Sequence, residues 1–446
     1  MGSAQQYIDL FGSQRDEICR YSCSAMNARR AAAFGTFARN GFPTRKNELY
    51  KYTDLEEAFA PDYGVNIRRV EFPVNPYEAF RCNVPNMSTS LYFVENDAFY
   101  DRALPHAALP DGVFVGSLLK AAEELPHIVE KYYAAIADTE KDSVAALNTM
   151  FAQDGLLVYV PDGVKVERTI QIVNIMRSDV DLMANRRVLI VLGENASASL
   201  LFCDHDADDR DFLVTEVVEI HAGCNSALDF YSLEQTTAKN KRFSSLFLEQ
   251  QAGSHVAVNN MTLHNGLTRN SLCLKLAGSG AELEAYGFAL EGGRQHVDTN
   301  ALIDHSVPEC RSNVLYKYVL DGQSVGAFAG KVLVRPDAQK TESQETNANI
   351  CVSDDARMFT QPMLEIYADD VKCNHGATVG QLSEEALFYM GQRGVGEKEA
   401  RLLLEYAFVD EVLRHVKLQP LRDRISHLVE MSFRGELLKC SNCKAC

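Results

Sequence analysis

The sequence predicts a mainly β protein with helical regions at both ends. Three observations carry this. Residues 155–380 form a series of short runs rich in β-branched and aromatic residues, each bounded by Gly, Asn or Asp. No helical stretch intervenes there to make βαβ crossovers. On either side, apolar residues recur at helical spacing. A sandwich, a barrel and a β-solenoid all fit so long an all-β stretch. Corners marked by Gly193, Gly223, Gly253, Gly266, Gly280 and Gly287 favour the solenoid, as does a length excessive for one sandwich. No strict repeat motif is visible.

In chain order, an Ala/Arg-rich segment from about Cys23 to Arg39 places Phe34, Phe37 and Ala38 at helical spacing, and Asn40-Gly41 stops it. Seven of the 13 prolines fall between Pro43 and Pro110, which suits irregular or edge structure. Ser117 to Ile136 reads as helix interrupted at Pro126. The strand runs then begin: 156–160, 169–173, 187–192, 198–202, 212–220, 226–233, 244–249, 255–263, 271–276 and 282–290. Val371 to Gly380, preceded by Leu364-Glu365-Ile366-Tyr367, reads as the last strand of the series. Ser383 caps a helix from Glu384 to Gln392 with acidic residues in its first turn. A second helix runs from Glu397 to about Val416 and a third opens at Pro420. The expected organisation is an N-terminal helical and irregular region (1–150), a β core (151–380), a C-terminal helical region (381–435) and a cysteine-containing tail (436–446).

Composition narrows the function. The chain has 446 residues, with 44 Lys+Arg against 61 Asp+Glu, a formal net charge of −17. That balance argues against nucleic acid as a partner. Apolar runs are far shorter than the ~18–20 residues needed to span a bilayer, so no membrane association is expected. Met1 to Leu10 lacks a charged start followed by an apolar stretch, which predicts a cytoplasmic protein whose 12 cysteines are reduced.

Four groups of residues could carry chemistry. On a strand, Cys373 and His375 share a face about 7 Å apart, a half-site for iron or zinc; the plainer reading is a buried thiol and a surface imidazole. Lys372 points to the other face, and its charge is expected to favour the thiolate. Cys440, Cys443 and Cys446 form C-x2-C-x2-C, part of an iron–sulfur ligand run without its fourth cysteine, or else an oxidisable tail. His296, Asp298 and Asn300 alternate onto one face with Asp304 and His305 behind, an acid–base set or, more often, a hydrogen-bonded β face. Cys203, Cys224, Cys273, Cys310 and Cys351 read as buried small hydrophobes. No phosphate-binding loop and no nucleophile elbow is present, so a partner would supply any ATP site.

A series of co-linear motifs then resembles a known family. They run from His296-Val297-Asp298 through Leu315-Tyr316-Lys317, Gly330-Lys331-Val332, Gln339-Lys340-Thr341 and Gln344-Glu345-Thr346-Asn347. They continue through Leu364 to Cys373, His375 to Gly380 and Glu384 to Tyr389, with a weaker match at Pro43 to Glu48 and Lys51-Tyr52-Thr53. This pattern resembles the SufB/SufD family of iron–sulfur cluster assembly scaffolds, and Gly376 after the motif histidine is similar to its SufD branch. The triple-cysteine tail is not a general feature of that branch, and Leu49-Tyr50 replaces its usual acidic-plus-Trp pair.

The resemblance implies a right-handed parallel β-helix core with flanking helical regions, acting as a non-catalytic scaffold in iron–sulfur cluster assembly and iron acquisition. It implies a heterodimer with a SufB-like subunit, or a homodimer in isolation, and a SufC-like ATPase that hydrolyses ATP. The ATPase would contact Glu384, Leu387, Phe388, Tyr389 and Arg393. Cys373 and His375 would lie at the SufB contact, with iron or a cluster there transiently and no stable cofactor; flavin is left open. Two other readings stand beside it: a β-helix enzyme acting on acidic polysaccharide, and a metal carrier using the cysteine tail.

Overall fold

The computed structural model describes residues 2–70, 75–79, 89–102 and 109–436. Its centre is a β-solenoid of about eight turns. Consecutive strands from Leu156–Val160 to Val371–Gly380 alternate between two sheets, and each pairs in parallel with the strand two places away. The register shows how the turns stack. Leu228, Val256, Leu283, Ser312, Ser343 and Cys373 are successive Cα partners in the second sheet. They lie 27–31 residues apart, so the repeat is real but varies in length and carries no fixed motif.

Side-chain alternation gives each strand an inner and an outer face. The inner faces of both sheets meet in one elongated core that includes Ile172, Leu200, Val218, Val256, Leu283 and Ile303. Each outer face is covered by helices. On the first sheet, Ser3–Arg20, Ser24–Asn40 and Ser143–Phe151 pack Tyr7, Phe11, Phe37 and Met150 over Met183, Leu213 and Phe243. On the second, Glu397–Leu413 and Gln419–Phe433 lay Val409, Leu413, Ile425 and Val429 over Tyr231, Met261 and Tyr286. Along the middle turns both sheets are thus buried on two faces, as is usual for parallel sheets, while the last strands, Arg357–Ile366 and Val371–Gly380, stay largely uncovered.

Polar ties fix these layers. Arg187 and Glu219, both fully buried, pair at 2.5 Å. Glu219 also accepts from the backbone N–H groups of Ala134, Ile136 and Ala137, which ties the N-terminal region to the first sheet. At the other layer Lys317 pairs with Glu411 and lies over the Phe408 ring, and the His415 ring stacks on Tyr286 at 4.0 Å. Asp204 and Glu216 are likewise paired, with Arg186 and Arg242.

Most expected elements are where the sequence places them. The helix expected over Cys23–Arg39 is Ser24–Asn40, closed by Gly41 at φ +58°. Pro126 divides Leu118–Glu124 from Pro126–Tyr132. Ser383 caps its helix by accepting from Ala386 N–H at 3.2 Å. Besides the one-turn helices Leu55–Ala58 and Pro76–Ala79, two longer helices went unread. Ser143–Phe151 is buried all round and so shows no amphipathic period, and Ser3–Arg20 buries only Ser3, Tyr7, Phe11 and Ile18. The first turn also draws on the N-terminal region: Thr89–Glu95 pairs with Thr169–Met176, and Phe114–Ser117 with Leu156–Val160. Among the described residues no helix is long and apolar enough to cross a membrane.

Candidate functional site

The solenoid ends at Arg357–Ile366 in the first sheet and Val371–Gly380 in the second. Among the described residues, each is the terminal strand of its sheet and has a neighbour on one edge only. An edge strand presents a row of backbone N–H and C=O groups ready to pair with another chain. Ile366, Tyr367 and Val379 add exposed apolar surface at this rim.

Cys373 and His375 lie on this last strand. Pairing with Thr341–Cys351 is continuous, so Ser343 faces Cys373 and Glu345 faces His375 without a bulge. Val371 and Cys373 pack on the inner core, whereas Lys372 and Asn374 line a groove on the outer face. The thiol and the imidazole therefore share the inner face, with Cys373 half-buried and His375 exposed. One part of the expectation is corrected. Lys372 does not favour the thiolate: it lies 3.4 Å from Glu342 on the outer face. Burial pushes the Cys373 thiol up from its ordinary value, although a hydrogen bond with the Ser343 backbone pulls the other way. A metal arriving here must displace a thiol proton.

The layer beneath is polar, and the sequence reading did not single it out. Glu345 is fully buried, and neither of its carboxylate oxygens has a hydrogen-bond partner. Burial alone pushes its carboxyl up to about 7. A Cβ at Gly330 would collide with Glu345 Oε1, so a glycine in the adjoining wall leaves room for that carboxyl. Beside it, Ser312 Oγ lies 2.9 Å from His305 Nε2 and 2.8 Å from Ser343 Oγ, which continues the polar row towards Cys373. The signal available in the sequence was that Gly330 and Glu345 both sit in the family motifs, but only the register brings them together. Among the described residues, no three His, Cys, Asp or Glu side chains converge closely enough to hold a metal ion.

The remaining candidates fall elsewhere. Asp298 pairs with Arg269 at 2.5 Å and accepts from Thr53 Oγ1 at 2.6 Å, while His296 Nε2 lies 3.3 Å from the same hydroxyl. This is the hydrogen-bonded β face, covered by the N-terminal segment. Asp304 is held by Arg335 at 2.7 Å. Cys203 and Cys310 are buried, whereas Cys224, Cys273 and Cys351 are partly exposed. Cys440, Cys443 and Cys446 lie outside the described residues.

Helix Glu384–Gln392, which carries Glu384, Leu387, Phe388 and Tyr389, follows directly from the open end and buries none of its residues. Phe388 is 69% exposed and Tyr389 60%, with Arg393 donating to the Tyr389 hydroxyl at 3.1 Å. The two adjacent rings leave apolar surface open to solvent on this helix.

Known proteins resemble this chain over most of its length. The family model for the SufBD protein N-terminal region matches residues 1–172, and that for the SufBD core domain of the SUF system for FeS cluster assembly matches residues 174–408. An iron–sulfur cluster assembly SufBD family protein of Synechocystis is 27% identical over 396 residues, covering 87% of this chain and 86% of its own length. The iron–sulfur cluster assembly protein SufD of Escherichia coli is 27% identical over 394 residues, covering 87% and 88%. The chloroplastic protein ABCI7 of Arabidopsis thaliana is 25% identical over 438 residues, covering 95% and 90%. The chain belongs to the SufBD family of iron–sulfur cluster assembly proteins.

Proposed function

We propose that this chain is a SufD-type scaffold subunit, non-catalytic itself, that supports cluster assembly and iron acquisition in a complex with a SufB-like chain and a SufC-like ATPase. The observation that carries the reading is the placement of Cys373 and His375 together on the inner face of the last strand, beside a free sheet edge. A sister solenoid meeting that edge would complete the ladder and bring its own ligands to the thiol and imidazole. Iron and sulfide are cargo at such a site, held there transiently.

Helix Glu384–Gln392 supplies the ATPase contact through Phe388 and Tyr389, and the neighbouring helices transmit movement to the solenoid. A stack of turns that contact only their neighbours is stiff enough to act as a lever. The family assignment turns the reading away from a polysaccharide-acting enzyme.

The test is His375→Ala in a cell that depends on this system. Maturation of an iron–sulfur enzyme should be lost while the SufB-like and SufC-like partners still co-purify with the chain. Normal maturation would refute the site. Replacing Phe388 and Tyr389 together by Ala should release the ATPase and leave the SufB-like partner bound; retention of the ATPase would refute that contact.

A further inference from the structure

Five residues stand in one row across the outer face of the second sheet. His255, Glu282, Arg311, Glu342 and Lys372 are successive Cα partners, one from each turn, so basic and acidic side chains alternate along the row. Strands in a sheet lie about 4.8 Å apart and partnered side chains share a face, which brings each of these groups to the next. His255 Nδ1 lies 3.2 Å from Glu282, and Arg311 lies 3.6 Å from Glu282 and 3.3 Å from Glu342. Lys372 lies 3.4 Å from Glu342. A hydrogen bond with Glu284 raises the His255 imidazole above its ordinary value, which favours its positive form.

The row stops at the open end. Glu282, Arg311 and Glu342 each sit between two basic or two acidic groups of opposite sign. Lys372 has one such neighbour among the described residues, and its side chain is 82% exposed. Opposite charges on directly opposed positions stabilise a pair of strands and like charges destabilise it. A strand added at the free edge of Val371–Gly380 therefore meets a demand for an acid opposite Lys372. The adjoining row, Glu284, Asn313, Gln344 and Asn374, reaches the rim as neutral amides and makes no such demand. Val371–Gly380 itself contains no Asp or Glu, so a second copy pairing through this same strand has no carboxylate to offer in any register.

We propose that the strand of the SufB-like partner that adds to this edge carries an Asp or Glu opposite Lys372, and that this pair selects the partner over a second copy and fixes its register. The pairing rests on the scaffold reading above, in which a sister solenoid completes the ladder here. A one-residue slip would turn the partner's acid to the inner face, away from the lysine.

The test uses the full chain with its SufB-like partner. A water-soluble carbodiimide condenses an ammonium and a carboxylate in contact to an amide and leaves as its urea. Mass spectrometry of the treated complex should find Lys372 joined to one Asp or Glu of the partner. Lys372→Glu should weaken the complex at least about tenfold at low salt, with the loss shrinking as salt is raised. Lys372→Gln, which brings no repulsion against Glu342, should show a smaller loss of the same sign. Lysine placed at the crosslinked position of the partner should restore binding to Lys372→Glu. Affinity unchanged in Lys372→Glu, or Lys372 joined to Glu342 of its own chain alone, would overturn the pairing and leave the scaffold reading in place. Wild-type chains that fail to associate would overturn both.

Discussion

Two parts of one side-chain column differ in kind. In the second sheet Phe230, Val258, Ala285, Val314, Glu345 and His375 are successive partners along the solenoid, all on the inner face. The first four are apolar and the last two are ionisable. The neighbouring column behaves alike, running Leu228, Val256, Leu283 and then Ser312, Ser343, Cys373. A turn flanked on both sides gains most from apolar side chains that exclude water. In these two columns polar groups appear only towards the open end. Elsewhere on the inner face the middle turns bury polar groups that are paired with one another, Asp204 with Arg186, Glu216 with Arg242 and Glu234 with Thr268. The middle turns are built for their own neighbours, and the last two turns are built for something else.

The largest expected effect comes from copying the end into the middle. Val258→Glu puts into the central core the carboxylate that the penultimate turn carries at Glu345. With no partner there it should cost more than about 4 kcal/mol and leave little folded protein. Leu283→Ala, in the same apolar stretch, should cost about 2–5 kcal/mol through the cavity it opens. Denaturant unfolding checks both, and a near-neutral Val258→Glu would erase the contrast between middle and end.

Glu345 itself should show the opposite sign. Its carboxylate oxygens are unpartnered, so Glu345→Met, which keeps length and adapts in shape, should stabilise the chain by about 1–3 kcal/mol. It should do so without improving cluster maturation. Acidity sharpens the point. The folded-state value of about 7 lies above the ordinary value of 4.5, so the folded chain keeps this proton longer than the unfolded one. Stability from this group is therefore full below about pH 4.5 and is lost as pH rises towards 7, by roughly 3 kcal/mol in all. No charged neighbour contributes to the shift, so Glu345→Gln should remove this component alone. Stability of the wild type minus that of Glu345→Gln should fall between pH 5 and 8; a flat difference would show that Glu345 titrates normally.

The same contrast explains what was legible beforehand. Strand runs such as 156–160 and 282–290 were readable because apolar inner faces announce themselves. Four strands between Arg311 and Ile366 went unread. In Thr341–Cys351 the inner face carries Ser343, Glu345 and Asn347 and the alternation fades, whereas Arg311–Leu320 and Val325–Val334 keep apolar inner faces, with Val314, Tyr316, Phe328 and Val332 in the core. Cys373 and His375 were readable as a pair because two-residue spacing on a strand fixes their common face. Glu345 beneath them was not, since it lies 30 residues away from His375 and only the register joins them. The free edge of the final strand was also beyond reach, because it depends on where the stack of turns stops. The role expected of Lys372 failed for a related reason: alternation placed it correctly, but the salt bridge to Glu342 lies across strands.

The smallest expected effect concerns the outermost turn. Cys373 is half-buried, and a serine hydroxyl can keep its hydrogen bond with the Ser343 backbone, so Cys373→Ser should change stability by less than about 1 kcal/mol. Ser343→Ala, one turn inwards, removes the 2.8 Å contact with Ser312 and should cost about 1 kcal/mol. The two changes exchange rank when maturation is measured. Cys373→Ser replaces a soft sulfur donor by a hydroxyl that stays protonated, and should impair iron–sulfur enzyme maturation far more than Ser343→Ala. Stability cost and functional cost should therefore run in opposite directions over a single turn. If Cys373→Ser instead unfolds the chain, its thiol belongs to the core after all and the last turn is no different from the middle ones.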